Sequence, residues 1–196
     1  MAVNDELKFG LEMTDDEKLL IGAWLDAVGT IISAYGELRA LAGFNNINSK
    51  LVAIGEGLQA IGTLLVGTVT TDDPLNFAGN WIDGVGAGVA GVGAYMQYLD
   101  PENGDDGVLF EVIGDVFQSM GAAISSYADR LAGEEGYAVG NAIQALGAGL
   151  EAVGGAYELN DREEEGQPIT TIGAIIQAIG SNLNAILLTK ELKEEL

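Results

Sequence analysis

One nine-residue pattern occurs six times along this chain: apolar, glycine, two variable positions, apolar, Asp or Gln, small, apolar, glycine. The copies run Ile21–Gly29, Ile54–Gly62, Ala78–Gly86, Ile113–Gly121, Val139–Gly147 and Ile172–Gly180. Regular self-similarity marks a repeat architecture in which each copy is one supersecondary unit. The first glycines of successive copies are Gly22, Gly55, Gly79, Gly114, Gly140 and Gly173, so long and short steps alternate. The repeating unit is therefore a helical hairpin of roughly 59 residues, present three times.

Each copy reads as helix. Apolar positions recur at intervals of three and four over about 20 residues, not at intervals of two. Counted from the first glycine, positions +3 and +10 are always apolar, whereas +5 and +12 are always small. Six helices are predicted over 16–42, 49–70, 75–99, 107–132, 137–159 and 168–192. The three prolines, at 74, 101 and 168, fall between copies, where they do not interrupt a helical ladder. Short connections make consecutive helices antiparallel neighbours. The expected fold is all-α: six antiparallel helices from three hairpin repeats, closed as a glycine-seamed bundle or barrel. A two-layer or domain-swapped arrangement of the hairpins is the competing topology. Residues 17–196 form the single six-helix domain, and residues 1–16 an acidic N-terminal segment expected to be flexible.

Glycine inside a helix costs about 1 kcal/mol relative to alanine. Its regular phasing therefore calls for an offsetting contact, and close approach of two backbones supplies one. At about 100° per residue, the paired glycines lie at about 350° and the second small stripe at about 130°. Bulky residues occupy roughly 180–300° and polar or tiny ones roughly 20–100°. The expectation drawn is a ring whose bulky wedge points inward and whose polar arc faces solvent. Trp24 and Trp81 share position +2, and Tyr35 and Tyr127 share +13, so these aromatics are expected to fill the core.

Composition narrows the chemistry. The chain has neither cysteine nor histidine, which excludes disulfides, thiolate or imidazole metal sites and histidine-assisted nucleophiles. Thirty acids against eight bases give a net charge of −22, a poor match for nucleic acid or anionic lipid headgroups. The N-terminus lacks the basic and apolar segments of a secretory signal, which points to a cytoplasmic protein.

No catalytic, cofactor-binding or metal-ligating residue is assigned, and no cofactor is expected. The recurrent +4 residues, Asp26, Gln59, Asp83, Gln118, Gln144 and Gln177, suit an interhelical hydrogen-bonding edge turned toward solvent; a polar ring for a cation or ligand is the alternative. The acidic segment DPENGDDG at 100–107 offers hard oxygen ligands for a divalent cation, but its spacing is not that of an EF-hand. Residues 163–165, three glutamates, read as a solvated run. The glycine-rich stretch 84–95 follows no strand and lacks the lysine of a phosphate loop. Residues 169–189 carry no charge over 21 positions, yet acids interrupt the sister helices, so no constitutive membrane span is expected. Nothing in the pattern is expected to pair two acids on a common inward face.

The phrases IGTLLVGTV, VGNAIQALGAGLEAVGG and IGAIIQAIGSNLNAI resemble a group of repetitive glycine-rich helical proteins from Bacillus and relatives, of uncharacterised function. The resemblance runs from residue 18 onward and implies a bacterial origin, with no activity to carry over. The reading from sequence is a non-enzymatic structural protein, acidic and self-associating. A membrane-active or pore-forming bundle, or a carrier of an apolar ligand in the lumen, is the alternative.

Overall fold

The computed structural model describes residues 13–44, 47–101 and 104–194. They form six helices: α1 (Asp15–Leu41), α2 (Asn48–Gly67), α3 (Pro74–Leu99), α4 (Asp105–Ala132), α5 (Glu135–Glu158) and α6 (Glu163–Glu194). The protein is all-helical, with no strand among the described residues.

Local sequence explains the ends. Thr14 caps α1 by accepting from Glu17 N at 3.2 Å, while Thr14 N donates to Glu17 Oε2 at 2.8 Å. This reciprocal box starts the helix inside the segment assigned to the flexible N-terminus. Residues 1–12, the rest of that segment, lie outside the described residues. At α3, Asp73 Oδ1 accepts from Leu75 N and Asn76 N, and Pro74 takes the first helical position, where no N–H is missed. Gly133, with φ 83°, ends α4 in the left-handed region that glycine enters freely. The sixth helix starts at Glu163, ahead of its expected start at 168. Pro168 is tolerated inside it because it removes only one bond near the N-terminus, and Glu163, Glu164 and Glu165 favour the positive end of the helix dipole.

Packing follows a cyclic order. Each helix packs against its neighbours in sequence, α1 also packs against α6, and no other pair of helices brings its backbones together among the described residues. Glycines set the closest approaches. A Cβ on Gly22 would stand 2.7 Å from Gly62 O, one on Gly55 2.6 Å from Gly29 O, and one on Gly121 2.6 Å from Gly79 O. A Cβ on Gly107 would stand 2.7 Å from Gly93 O, and one on Gly147 or Gly173 would stand 2.7 Å from the other's carbonyl oxygen. A Cβ on Gly36 would stand 3.0 Å from Asn48 O, so an asparagine stands where the other helices carry glycine. Seven-residue spacing keeps these contacts on one line of each helix. Between the other neighbours the fit is less symmetric: Gly84 accommodates Leu64, Gly155 accommodates Val112, and Ser119 Oγ donates to Ala145 O at 2.8 Å. The α1–α6 contact is polar at its centre, where the Thr30 and Ser181 hydroxyls lie 2.7 Å apart.

Side-chain direction reverses the expectation from the helical wheel. The bulky residues face out: Ile31, Tyr35, Ile61, Val85, Val92, Met120, Tyr127, Leu146 and Ile179 are all exposed. Trp24 and Trp81, expected in the core, are 38% and 40% exposed. What is buried is small or polar, and the largest fully buried side chains are Gln59 and Gln118. The order of helix contacts gives the reason. Six cyclically packed helices turn about 120° of each circumference inward and about 240° outward, and the arc of about 140° between the two small stripes is the polar one. The wider arc, with most of the bulk, faces out.

Candidate functional site

The inward arc gathers polar side chains from all six helices. At about 100° per residue, Asp26, Glu37, Glu56, Asp83, Asp115, Gln144, Glu151 and Gln177 all fall between about 0° and 100°. The six recurrent +4 residues are among those turned inward. Gln59, Gln118, Gln144 and Gln177 are buried, and Asp26 and Asp83 line a cavity at one end. They do not form a solvent-facing edge. Nor are acids kept apart, because Glu56, Asp115 and Glu151 are buried in the same interior. The missed signal was angular: Glu56 and Asp115 occupy position +1, inside the polar arc and next to the recurrent glycine.

At mid-height a hydrogen-bonded chain crosses the interior. Gln177 Nε2 donates to Gln118 Oε1 at 2.6 Å, and Gln118 Nε2 donates to Glu56 Oε2 at 2.9 Å. The other oxygen of Glu56 accepts from Ser33 Oγ at 3.0 Å and Gln59 Nε2 at 2.7 Å. The first two bonds tie α6 to α4 and α4 to α2, pairs whose backbones do not meet, and the Ser33 bond ties α2 to α1. Three donors therefore satisfy the buried Glu56 carboxyl.

Cavities open on both sides of this chain. One, of about 340 Å³, is lined by Asp26, Asp83, Asp129, Asn76, Asn141 and Asn184 among others. Here Asn76 Nδ2 and Asn141 Nδ2 each donate to Asp129 at 2.7 Å, Asn184 Nδ2 donates to Asn141 Oδ1 at 2.7 Å, and Gln144 Nε2 donates across to Asp26 Oδ2 at 3.2 Å. The second, of about 1000 Å³, is lined by Glu37, Glu111, Asp115 and Glu158, with Gln97 and Gln167. Gln97 Nε2 donates to Glu111 at 2.8 Å and Gln167 Nε2 to Glu37 at 2.7 Å. Among the described residues two buried acceptors, Glu151 Oε1 and Asn184 Oδ1, have no hydrogen-bond partner.

Among the described residues, no lysine or arginine lines either cavity. The described basic residues sit at helix ends and in loops: Lys18, Arg39, Lys50, Arg130, Arg162, Lys190 and Lys193. Arg39 lies over the Tyr35 and Phe44 rings, and Arg162 pairs with Glu165 at 2.6 Å. That Arg162 hydrogen bond holds the Glu165 carboxyl below its usual range. Partial burial pushes Glu134, at the mouth of the smaller cavity, above its usual range; the nearby Asp129, Glu191 and Asp73 add to the effect. Among the described residues, no group of three or more carboxylates is arranged to hold a metal ion. In the acidic segment at 100–107, Asp105 and Asp106 form the first turn of α4, and residues 102 and 103 lie outside the described residues.

A family of unknown function, DUF6944, matches residues 17–185. The chain belongs to this family. No curated protein and no solved structure matches it. The matched span runs from the first turn of α1 to Ala185 in α6 and contains the whole crossing chain from Ser33 to Gln177.

Proposed function

We propose that the chain is a closed barrel of six glycine-seamed helices, three copies of one hairpin, that spans a lipid bilayer and passes small cations along its acidic interior. The observation that carries this reading is the inversion of polarity, with bulk outside and carboxylates and amides inside. Among the described residues no charged side chain is exposed within 19–41, 51–67, 74–99, 107–129, 137–158 or 166–189. The shortest of these stretches spans about 25 Å and the longest about 39 Å at about 1.5 Å per residue, bracketing a hydrocarbon layer of about 30 Å. Four helices, α1, α2, α4 and α6, are long and apolar enough to cross a membrane.

Three further features fit a lipid solvent. Helices there associate through small residues, because burying apolar surface gains little against acyl chains. Tyrosines and tryptophans gather at bilayer interfaces, and here Trp81, Tyr127 and Tyr137 lie toward one end while Tyr35, Tyr95 and Tyr157 lie toward the other. An interior with carboxylates and no basic side chain attracts cations and repels anions. Such a lining also suits an apolar cargo poorly.

The test is reconstitution. The purified chain should float with liposomes in a density gradient and give a slow potassium leak that exceeds the chloride leak. A chain that stays in the aqueous fraction overturns the reading. A defined soluble oligomer in that fraction would instead support the self-associating structural protein, since copies packed together would cover the same apolar exterior.

A further inference from the structure

We infer that the Glu56–Gln118–Gln177 chain is the gate of this conduit and that its permeant species is a monovalent cation shed of most of its water; the inference rests on the membrane reading above. The three side chains come from α2, α4 and α6, alternate members of the cyclic order, and meet inside it. None of them lines either cavity, so they stand between the two. Glu56 and Gln118 are 2% and 1% exposed, so solvent in neither cavity reaches them.

The chemistry around the crossing favours a cation. Glu56 is its one carboxylate, and all three of its donors are neutral, from Ser33, Gln59 and Gln118. An arriving cation exchanges those donors for itself, with the amide oxygens of Gln118 and Gln177 as further ligands. A buried acceptor without a partner among the described residues stands on one flank. Glu151 Oε1 lies about one turn beyond Gln177 toward the larger cavity, while Asn184, whose Oδ1 packs against Gly140, lines the smaller one. Glu151 Oε1 offers a partly dehydrated ion a buried oxygen that no protein donor occupies. The four carboxylates that line the larger cavity, Glu37, Glu111, Asp115 and Glu158, are not placed to hold a metal ion together, so they form no chelating trap for a divalent ion.

Vesicles loaded with a thallium-sensitive dye test the gate. Gln118→Ala removes the central link, two hydrogen bonds together, and should raise thallium influx about tenfold or more. Adding Glu56→Gln to that variant should lower the preference for potassium over chloride. Ser119→Ala, which removes an α4–α5 hydrogen bond outside the crossing, should leave influx unchanged. Gln177→Ala breaks the next link and serves if Gln118→Ala loses helicity. Variants that float and stay helical with wild-type influx overturn the gate alone, as does an equal rise in Ser119→Ala. A wild-type chain that does not float removes the membrane reading as well.

Discussion

Gly114 and Gly86 meet backbone to backbone: a methyl group on Gly114 would stand 2.6 Å from Gly86 O and 2.5 Å from Ala90 N. Neither neighbour is a flexible side chain that could move aside. Gly114→Ala should therefore force α3 and α4 apart and destabilise the protein by about 1–3 kcal/mol. Gly57, on the outward side of α2, would place its methyl in open space, so Gly57→Ala should stabilise by about 1 kcal/mol through helix propensity. Unfolding of both variants in detergent checks this; destabilisation of equal size at both positions would refute it.

The two tryptophans report on what surrounds the protein. Trp24 and Trp81 both sit on the outer surface, Trp24 donating from Nε1 to Thr189 Oγ1 at 3.0 Å. In liposomes containing brominated lipid, their fluorescence should be quenched strongly, and aqueous acrylamide should quench it weakly. The reverse order of quenching would place these faces in water.

An acid on the outer face should act against insertion. Ile31 and Val85 are each 50% exposed, near the middles of α1 and α3. Ile31→Asp and Val85→Asp should each cost about 3 kcal/mol of membrane partitioning, the penalty for a carboxylate at the centre of a bilayer. Flotation should fall in both. An exterior bathed in water would instead take these substitutions with no loss of stability.

Glu134 gives a prediction about pH. Its folded pKa is raised, so its contribution to stability is fully present at low pH and is lost as pH rises through the raised value. Glu134→Gln should remove this dependence and stabilise the protein at neutral pH relative to the wild type. The effect should stay under about 1 kcal/mol because solvent screens a largely exposed carboxylate. The difference between wild-type and variant unfolding curves across the acid range measures it; a variant less stable at neutral pH would reverse the sign.

Much of the helical framework was legible before any coordinates. Glycines seven apart, apolar residues at three and four, and breaks at Asp73-Pro74 and Gly133 placed five helices close to where they lie. The miss at α6 came from treating Pro168 as a start signal. A proline in the second turn loses a single bond, too little to outweigh the helix-favouring acids ahead of it. The +4 residues were singled out correctly as a recurrent polar set, but their direction was not readable from recurrence alone. Nor was Gln118 recognisable as a link between Glu56 and Gln177, since those partners lie 62 and 59 positions away along the chain.

Periodicity by itself determined that the chain is all-helical and has six helices, because that depends on local spacing alone. Which arc between the stripes faces the axis was decided only in three dimensions. A single helix carries both arcs and favours neither, whereas cyclic packing admits only the narrower one inside. On this chain the narrower arc carries Asp26, Glu56 and Gln118, so the carboxylates point to the axis and the isoleucines and tryptophans face outward.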